Sequence, residues 1–132
     1  MMQSLLGNTS RKPDISFYSS GRIDITSHLS KRLDLEAGDV IDIYFDGMEY
    51  YLYVMAKKST IVGRHEAVCR ATNPECRNCR NLRAYSRRLC ERIIRAADRT
   101  DCARIYAGGD AALSGGRKAV IIIPRTANIT SV

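Results

Sequence analysis

A chain of 132 residues has the length of one domain or of two very small ones, and 45% apolar residues are enough to form a buried core. The charged fraction of 27%, combined with that apolar content, argues against intrinsic disorder. No apolar run approaches the roughly 18 residues that a membrane-spanning helix needs, and the start of the chain has no apolar stretch of signal-peptide length. We therefore expect a cytoplasmic protein without membrane segments.

The net charge of +7 is concentrated in the second half of the chain. Residues 1–60 carry seven Lys or Arg and eight Asp or Glu, whereas residues 61–132 carry fourteen and six. Between residues 64 and 104 all eleven basic residues are arginine. Arginine presents a planar fork of donors that suits phosphate or carboxylate, so this bias favours a polyanionic partner. A solvated cationic face is the simpler alternative.

The first 13 residues predict a flexible tail, and residues 14–58 predict a compact unit rich in β-structure. Residues 15–18 have the pattern of a short strand. Ile23 and Ile25 alternate with polar residues, which is typical of a half-buried strand.

A short helix and a hairpin are predicted next. Thr26 is suited to cap a helix whose apolar stripe consists of Leu29 and Leu33. Asp46-Gly47 is suited to a two-residue hairpin turn, because both residues tolerate positive φ. Nucleobase stacking and cross-strand packing are both open roles for the tyrosines of this hairpin. These tyrosines are Tyr44, Tyr50, Tyr51 and Tyr53.

The order of these elements resembles the SpoVT/AbrB swapped-hairpin family over residues 21–53. The residues that carry the resemblance are Gly21-Arg22, the alternating isoleucines, the two helix leucines, Leu35, Gly38-Asp39 and the hairpin. Thr26 stands where the family usually has proline. The resemblance implies a small DNA-binding module in which two chains exchange hairpins to close one barrel, and therefore a homodimer. The basic residues of this unit that would contact DNA are Arg22, Lys31 and Arg32.

Residues 61–125 predict a region of cysteines and arginines around one amphipathic helix, from Arg80 to about Arg99. The helix would present a stripe of positive charge suited to phosphate. Its predicted phosphate contacts are Arg80, Arg83, Arg87, Arg88, Arg92 and Arg95. A C-terminal β-hairpin follows, with strands at 103–107 and 118–124. The glycine-rich stretch between them predicts a flexible connection, since a phosphate-binding loop would open a helix.

All five cysteines lie between Cys69 and Cys102. The odd number and a reducing cytoplasm argue against structural disulfides. Zinc takes thiolate and imidazole ligands, and the self-consistent set would be His65, Cys69, Cys76 and Cys79, with Cys102 as a possible substitute. Unpaired thiols and redox chemistry at the Cys76–Cys79 pair are the alternatives.

These patterns predict an α+β fold in which an AbrB-like β unit precedes the arginine helix and the C-terminal hairpin. The leading functional hypothesis is a small non-enzymatic DNA-binding protein, a transcriptional regulator or antitoxin-like protein. RNA binding is a variant of it. The alternative is an interaction or assembly protein, for example of a phage or mobile element, whose basic helix docks an acidic partner. No catalytic triad, carboxylate pair or cofactor fingerprint indicates an enzyme.

Overall fold

The computed structural model describes residues 12–58, 67–76 and 79–124, so most of the predicted tail lies outside the described residues. The fold is α+β, as predicted. The first sheet contains β1 (Ile15–Tyr18), β2 (Arg22–Ile25), β6 (Arg70–Ala71), β7 (Leu82–Tyr85) and β8 (Cys102–Ile105). The second contains β3 (Val40–Phe45), β4 (Tyr50–Ala56), β5 (Ala67–Val68), β9 (Ala107–Leu113) and β10 (Arg117–Ile122). The helices are α1 (Ser27–Leu33) and α2 (Arg87–Ala96), and a 3-10 turn spans Ser114–Gly116.

Both sheets are antiparallel and both combine strands from the two halves of the chain. The strand order is β6-β7-β2-β1-β8 in the first sheet and β5-β3-β4-β10-β9 in the second. β2 pairs with β7, β1 with β8, and β4 with β10. The two predicted regions, 14–58 and 61–125, therefore share their backbone hydrogen bonding across both sheets.

A single apolar core connects the two sheets and the two helices. Alternate residues of the first sheet, such as Phe17 and Ile23, are fully buried, and α2 packs against the same side of β1, β2 and β8. Each fully buried side chain of this size contributes about 1.5–3 kcal/mol. The largest buried side chains are Phe17, Ile15, Ile23, Ile25, Leu29, Leu33, Leu35, Ile41, Leu52, Leu89, Ile93 and Ile105.

The short helix and the hairpin predicted in the first half are confirmed. The Oγ1 atom of Thr26 accepts a hydrogen bond from the Leu29 amide at 3.4 Å and caps α1. The hairpin turn lies one residue further along than predicted. Its central residues are Gly47 and Met48, because the Asp46 amide donates to the Glu49 carbonyl at 3.2 Å and Gly47 has a φ of 101°.

The predicted helix from Arg80 to Arg99 is wrong over its first seven residues. Leu82 and Ala84 are buried while Arg83 and Tyr85 face outward, so this segment is strand β7. The helix begins after Ser86, whose Oγ accepts a hydrogen bond from the Leu89 amide at 3.2 Å. The misassignment has a physical reason: Leu82, Tyr85 and Leu89 also fit a helical period, and β7 shows only four residues of alternation.

The glycine-rich connection predicted between the last two strands is also wrong. Ala107–Leu113 forms strand β9, which pairs with β10, and only Ser114–Gly116 remains as the connection. The strand predicted at 103–107 is therefore not the partner of the last strand: it corresponds to β8, which pairs with β1 in the other sheet. No helix in the part of the chain that the structure describes is long and apolar enough to span a membrane.

Replacing Ser86 by alanine is expected to destabilise the protein by about 1 kcal/mol, because it removes the side-chain cap of α2. Urea unfolding followed by circular dichroism measures this. Ser114→Ala, at an exposed position without a cap hydrogen bond, is the matched control and should leave the midpoint unchanged. Equal midpoints for the two variants would contradict the capping role.

Candidate nucleic-acid interface

The side of the first sheet that faces away from the core carries arginines, tyrosines and one aspartate. In antiparallel sheets, directly paired residues project to the same side. The strand register therefore places nine side chains on this surface, in two rows that each cross the sheet. We call it the basic face: Ser16, Tyr18, Arg22, Asp24, Arg70, Arg83, Tyr85, Cys102 and Arg104.

The first row runs across all five strands in the order Arg70, Arg83, Asp24, Ser16 and Arg104. The Nε atom of Arg83 donates to Asp24 at 2.8 Å, and this hydrogen bond raises the pKa of the Arg83 guanidinium. Arg70 and Arg104 lie at the two ends of the row, are exposed, and have no hydrogen bond or ion pair within the described residues. The row thus presents three guanidinium groups against one carboxylate.

The second row consists of Tyr85, Arg22, Tyr18 and Cys102. The guanidinium carbon of Arg22 lies 4.2 Å from the centre of the Tyr18 ring, and its Nε lies 3.4 Å from Asp24. Cation–π contact at this distance holds the guanidinium flat against the sheet. Tyr85, on the other side of Arg22, is 61% exposed.

A shallow depression of about 450 Å³ lies on the basic face. Arg83 and Arg104 line it together with Tyr18, and Lys12 lies at the same depression. Asp24 is shared between two arginines, so it offsets one of their charges and holds both in place. The arrangement is chemically suited to an extended anion with planar groups attached.

The sequence-predicted contacts of the first half separate in the structure. Arg22 lies on the basic face. Lys31 is exposed on α1, away from it. Arg32 is used within the fold, because its guanidinium donates to the Gly108 carbonyl at 2.6 Å and to Asp110 at 2.5 Å.

The predicted contacts of the second half also separate, and they do not form one continuous helical stripe. Arg83 lies on the basic face, whereas the Arg80 guanidinium donates a hydrogen bond of 2.6 Å to the carbonyl of Leu35, just after α1. Of the four arginines on α2, Arg88 pairs with Asp42 at 3.3 Å and Arg92 donates to the Ile43 carbonyl at 3.5 Å. The remaining two, Arg87 and Arg95, are exposed without an ion pair in the described residues.

Sequence reasoning missed both tyrosines and two of the four arginines of the basic face: Tyr18, Tyr85, Arg70 and Arg104. Tyr18 and Arg104 each follow the alternation of a short strand, which could have placed them opposite the buried residues. Arg70 gave no such signal, since β6 has only two residues.

The outer side of the second sheet is a contrasting aromatic surface. Tyr44 is 51% exposed and packs beside Tyr51. The Tyr51 hydroxyl donates to Asp46 at 2.9 Å, and the hydrogen bond to this carboxylate raises the pKa of Tyr51 to about 12. Charges of both signs border these rings, because the Arg117 guanidinium carbon lies 5.8 Å from the centre of the Tyr53 ring and Arg117 lines a cavity together with Tyr44. This surface therefore lacks the surplus of arginines found on the basic face.

The cysteines predicted as zinc ligands are placed differently from one another. Cys76 and Cys79 form a disulfide, so the expectation of no disulfides is wrong for this pair; a turn brings their Cα atoms to 5.4 Å. Cys69 is fully buried, and burial raises its pKa to about 12. His65 lies outside the described residues. No group of three or more His, Cys, Asp or Glu suited to a metal occurs within residues 12–58, 67–76 and 79–124. Zinc stays a prediction, which elemental analysis of protein purified without added metal would test.

Comparison with protein-family models, with curated proteins and with solved structures finds no match for this chain.

Proposed function

We propose that this protein is a non-enzymatic nucleic-acid-binding protein and that the basic face is its interface. The observation that carries the proposal is the composition of that face: four arginines and two tyrosines against one carboxylate, brought together from five strands. This composition supports the DNA-binding role that the sequence resemblance implies, and we propose the first sheet as its place.

Phosphate is the ligand best matched to these arginines. A guanidinium donates two parallel hydrogen bonds to one phosphate. The exposed Arg70 and Arg104 lie on strands that are four spacings apart, which is about 19 Å. Duplex DNA carries one charge per roughly 1.7 Å of its axis, so a nucleic acid crossing the face meets all four guanidinium groups. A small anion could contact only one or two of them.

The order of β2, α1 and the β3–β4 hairpin supports the relation to the swapped-hairpin family. In the swapped-hairpin family a second chain completes the barrel. We propose that strands of this chain take that role, because β7 pairs with β2, β8 with β1 and β10 with β4. The homodimer that the resemblance implies is not needed to complete these sheets, so it rests on the resemblance alone; light scattering at micromolar protein concentration tests it.

The proposal is tested by titrating fluorescein-labelled DNA with the protein across salt concentrations. Binding through about four phosphate contacts predicts that log K falls with log[salt] with a slope of about −3 to −4. The absence of binding to any nucleic acid at about 50 mM salt would remove the proposal.

A second candidate function rests on a separate groove of about 380 Å³ beside α2. Arg88, Arg92 and Arg95 line it together with Tyr50, whose ring centre lies 5.7 Å from the Arg92 guanidinium carbon. Glu91 also lines the groove and Arg88 is paired with Asp42, but the remaining positive charge beside an aromatic ring suits an acidic protein segment with an apolar anchor. If polyglutamate bound in a manner sensitive to Arg95→Glu and insensitive to Arg22→Gln, while DNA did not bind, this function would be favoured.

A further inference from the structure

The width of the basic face restricts which form of nucleic acid it can read. Five strands spaced about 4.8 Å apart span about 19 Å, whereas the major groove of B-DNA is about 12 Å wide and admits one helix or a two-stranded ribbon. The helix that packs on this sheet, α2, lies on its opposite side. The face can therefore meet a duplex only along its phosphate backbone.

Contact with the phosphate backbone of a nucleic acid does not by itself explain the position of Tyr85. Tyr85 is 61% exposed on β7, opposite Arg22 in the strand register and two residues from Arg83, whose guanidinium has a weak contact with the Tyr85 side chain. Leaving this much of an aromatic residue in water adds no hydrophobic stabilisation to the fold. An exposed ring beside guanidinium groups is the arrangement on which unpaired bases stack, and every base has a suitable face.

The second ring of the same row differs from Tyr85. Tyr18 is half-buried, and Arg22 already lies over it at 4.2 Å. In the strand register Arg22 lies between the two tyrosines and its guanidinium is held against Tyr18, a position next to a base stacked on Tyr85. Arg70 and Arg104 at the edges of the face extend the backbone contacts in both directions.

We infer that the basic face binds single-stranded nucleic acid in preference to duplex, with one base stacked on Tyr85 and the backbone held by the arginines. This inference rests on the proposed function and specifies its ligand. The chemistry is shared by single-stranded DNA and RNA, since neither stacking nor phosphate contact involves the 2′-hydroxyl.

The second sheet provides a matched control. Tyr44 is also an exposed strand tyrosine, at 51%, but it lies on the aromatic surface, where the neighbouring charges are of both signs: Asp46 at Tyr51 and Arg117 at Tyr53. If exposure of a tyrosine were sufficient for stacking, Tyr44 would contribute as much as Tyr85. The inference requires that it contribute little.

The test measures the fluorescence anisotropy of three labelled probes at one salt concentration: a 15-mer of thymidine, a 15-mer of uridine and a 15-base-pair duplex. Both single strands should bind at least about 10-fold more tightly than the duplex. Tyr85→Leu should weaken single-strand binding about 5- to 150-fold, the range expected for one lost base stack, and leave duplex binding unchanged. Tyr85→Phe and Tyr44→Leu should bind like the unmodified protein.

The outcomes separate this inference from the proposal beneath it. Equal or tighter binding of the duplex, together with no effect of Tyr85→Leu, overturns the single-strand preference and leaves nucleic-acid binding standing. An equal loss in Tyr44→Leu overturns the assignment to Tyr85. Failure of all three probes to bind the unmodified protein overturns both. A difference between the thymidine and uridine probes, with both tighter than the duplex, supports the inference and identifies the preferred sugar.

Discussion

Replacing the four arginines of the basic face by glutamine is expected to weaken nucleic-acid binding by about 100-fold or more at moderate salt. Nearly all sequence-independent affinity comes from phosphate neutralisation, and this variant removes four cations that face one side of a sheet. The salt dependence should flatten as well, with the slope of log K against log[salt] rising by about 3–4. Anisotropy titrations at several salt concentrations measure both effects. The substituted residues are Arg22, Arg70, Arg83 and Arg104.

The matched control removes four arginines on and just after α2: Arg87, Arg88, Arg95 and Arg99. It changes the net charge of the protein by the same amount but leaves the basic face intact. Binding should stay within a few-fold of the unmodified protein. The opposite order, with the α2 variant losing binding and the face variant keeping it, would return the interface to the helix that the sequence predicted. Circular dichroism and urea midpoints establish that both variants fold.

Asp39→Asn is expected to cost roughly 2–4 kcal/mol of unfolding free energy, because the Asp39 carboxylate is fully buried and joins the turn before β3 to the end of β4 through three hydrogen bonds. It accepts hydrogen bonds from the Glu36 amide and the Lys58 amide, both at 2.8 Å, and from the Lys57 ammonium at 2.6 Å. We place this cost at the lower end of the range for breaking a buried ion pair, because the Lys57 side chain is 49% exposed. An asparagine amide cannot accept all three hydrogen bonds.

The same carboxylate predicts a pH dependence. Burial opposes its ionisation, but the hydrogen bonds from Lys57 and from the two backbone amides outweigh burial and lower the pKa of Asp39 below 3.8. Because the folded pKa is below the unfolded value of about 3.9, this stabilisation is present above that pH and is lost as the pH falls through the folded pKa.

The difference in unfolding free energy between the unmodified protein and Asp39→Asn should therefore be smaller near pH 3 than at pH 7, as measured by urea unfolding. Asp46→Asn, at the exposed hairpin tip, is the control and should show a much smaller effect at pH 7. A gap of constant size at both pH values would contradict the assigned role of the Asp39 charge.

Local sequence signals were sufficient for the first half of the fold. Thr26, with Leu29 and Leu33, specifies α1 by capping and periodicity, and the hairpin follows from its turn residues and aromatic strands. The second half was harder because its signals conflict. Leu82, with the residues after it, fits a helix as well as a strand, and only the hydrogen bond at Ser86 sets the boundary. Strand β9 is composed largely of alanine and glycine, which have low β-propensity, so its pairing with β10 defines it.

The candidate site could not be assembled from the sequence, since its arginines meet through strand pairings between residues far apart in the chain. Arg22 and Arg83 share Asp24 across the β2–β7 pairing, and Arg104 joins them only through β1. The arginines around α2 instead suggested one continuous stripe of positive charge on a helix. Two of the predicted contacts are used within the fold: Arg32 joins α1 to strand β9, and Arg80 joins the segment before β7 to Leu35, just after α1.

The most direct test of the central claim is a nuclear magnetic resonance titration of the labelled protein with the 15-mer of thymidine, following the arginine Nε–Hε signals. The account predicts that the signals of Arg22, Arg83 and Arg104 shift together with the Tyr85 ring, while those of Arg87 and Arg95 stay in place. Shifts confined to the arginines of α2 would contradict it.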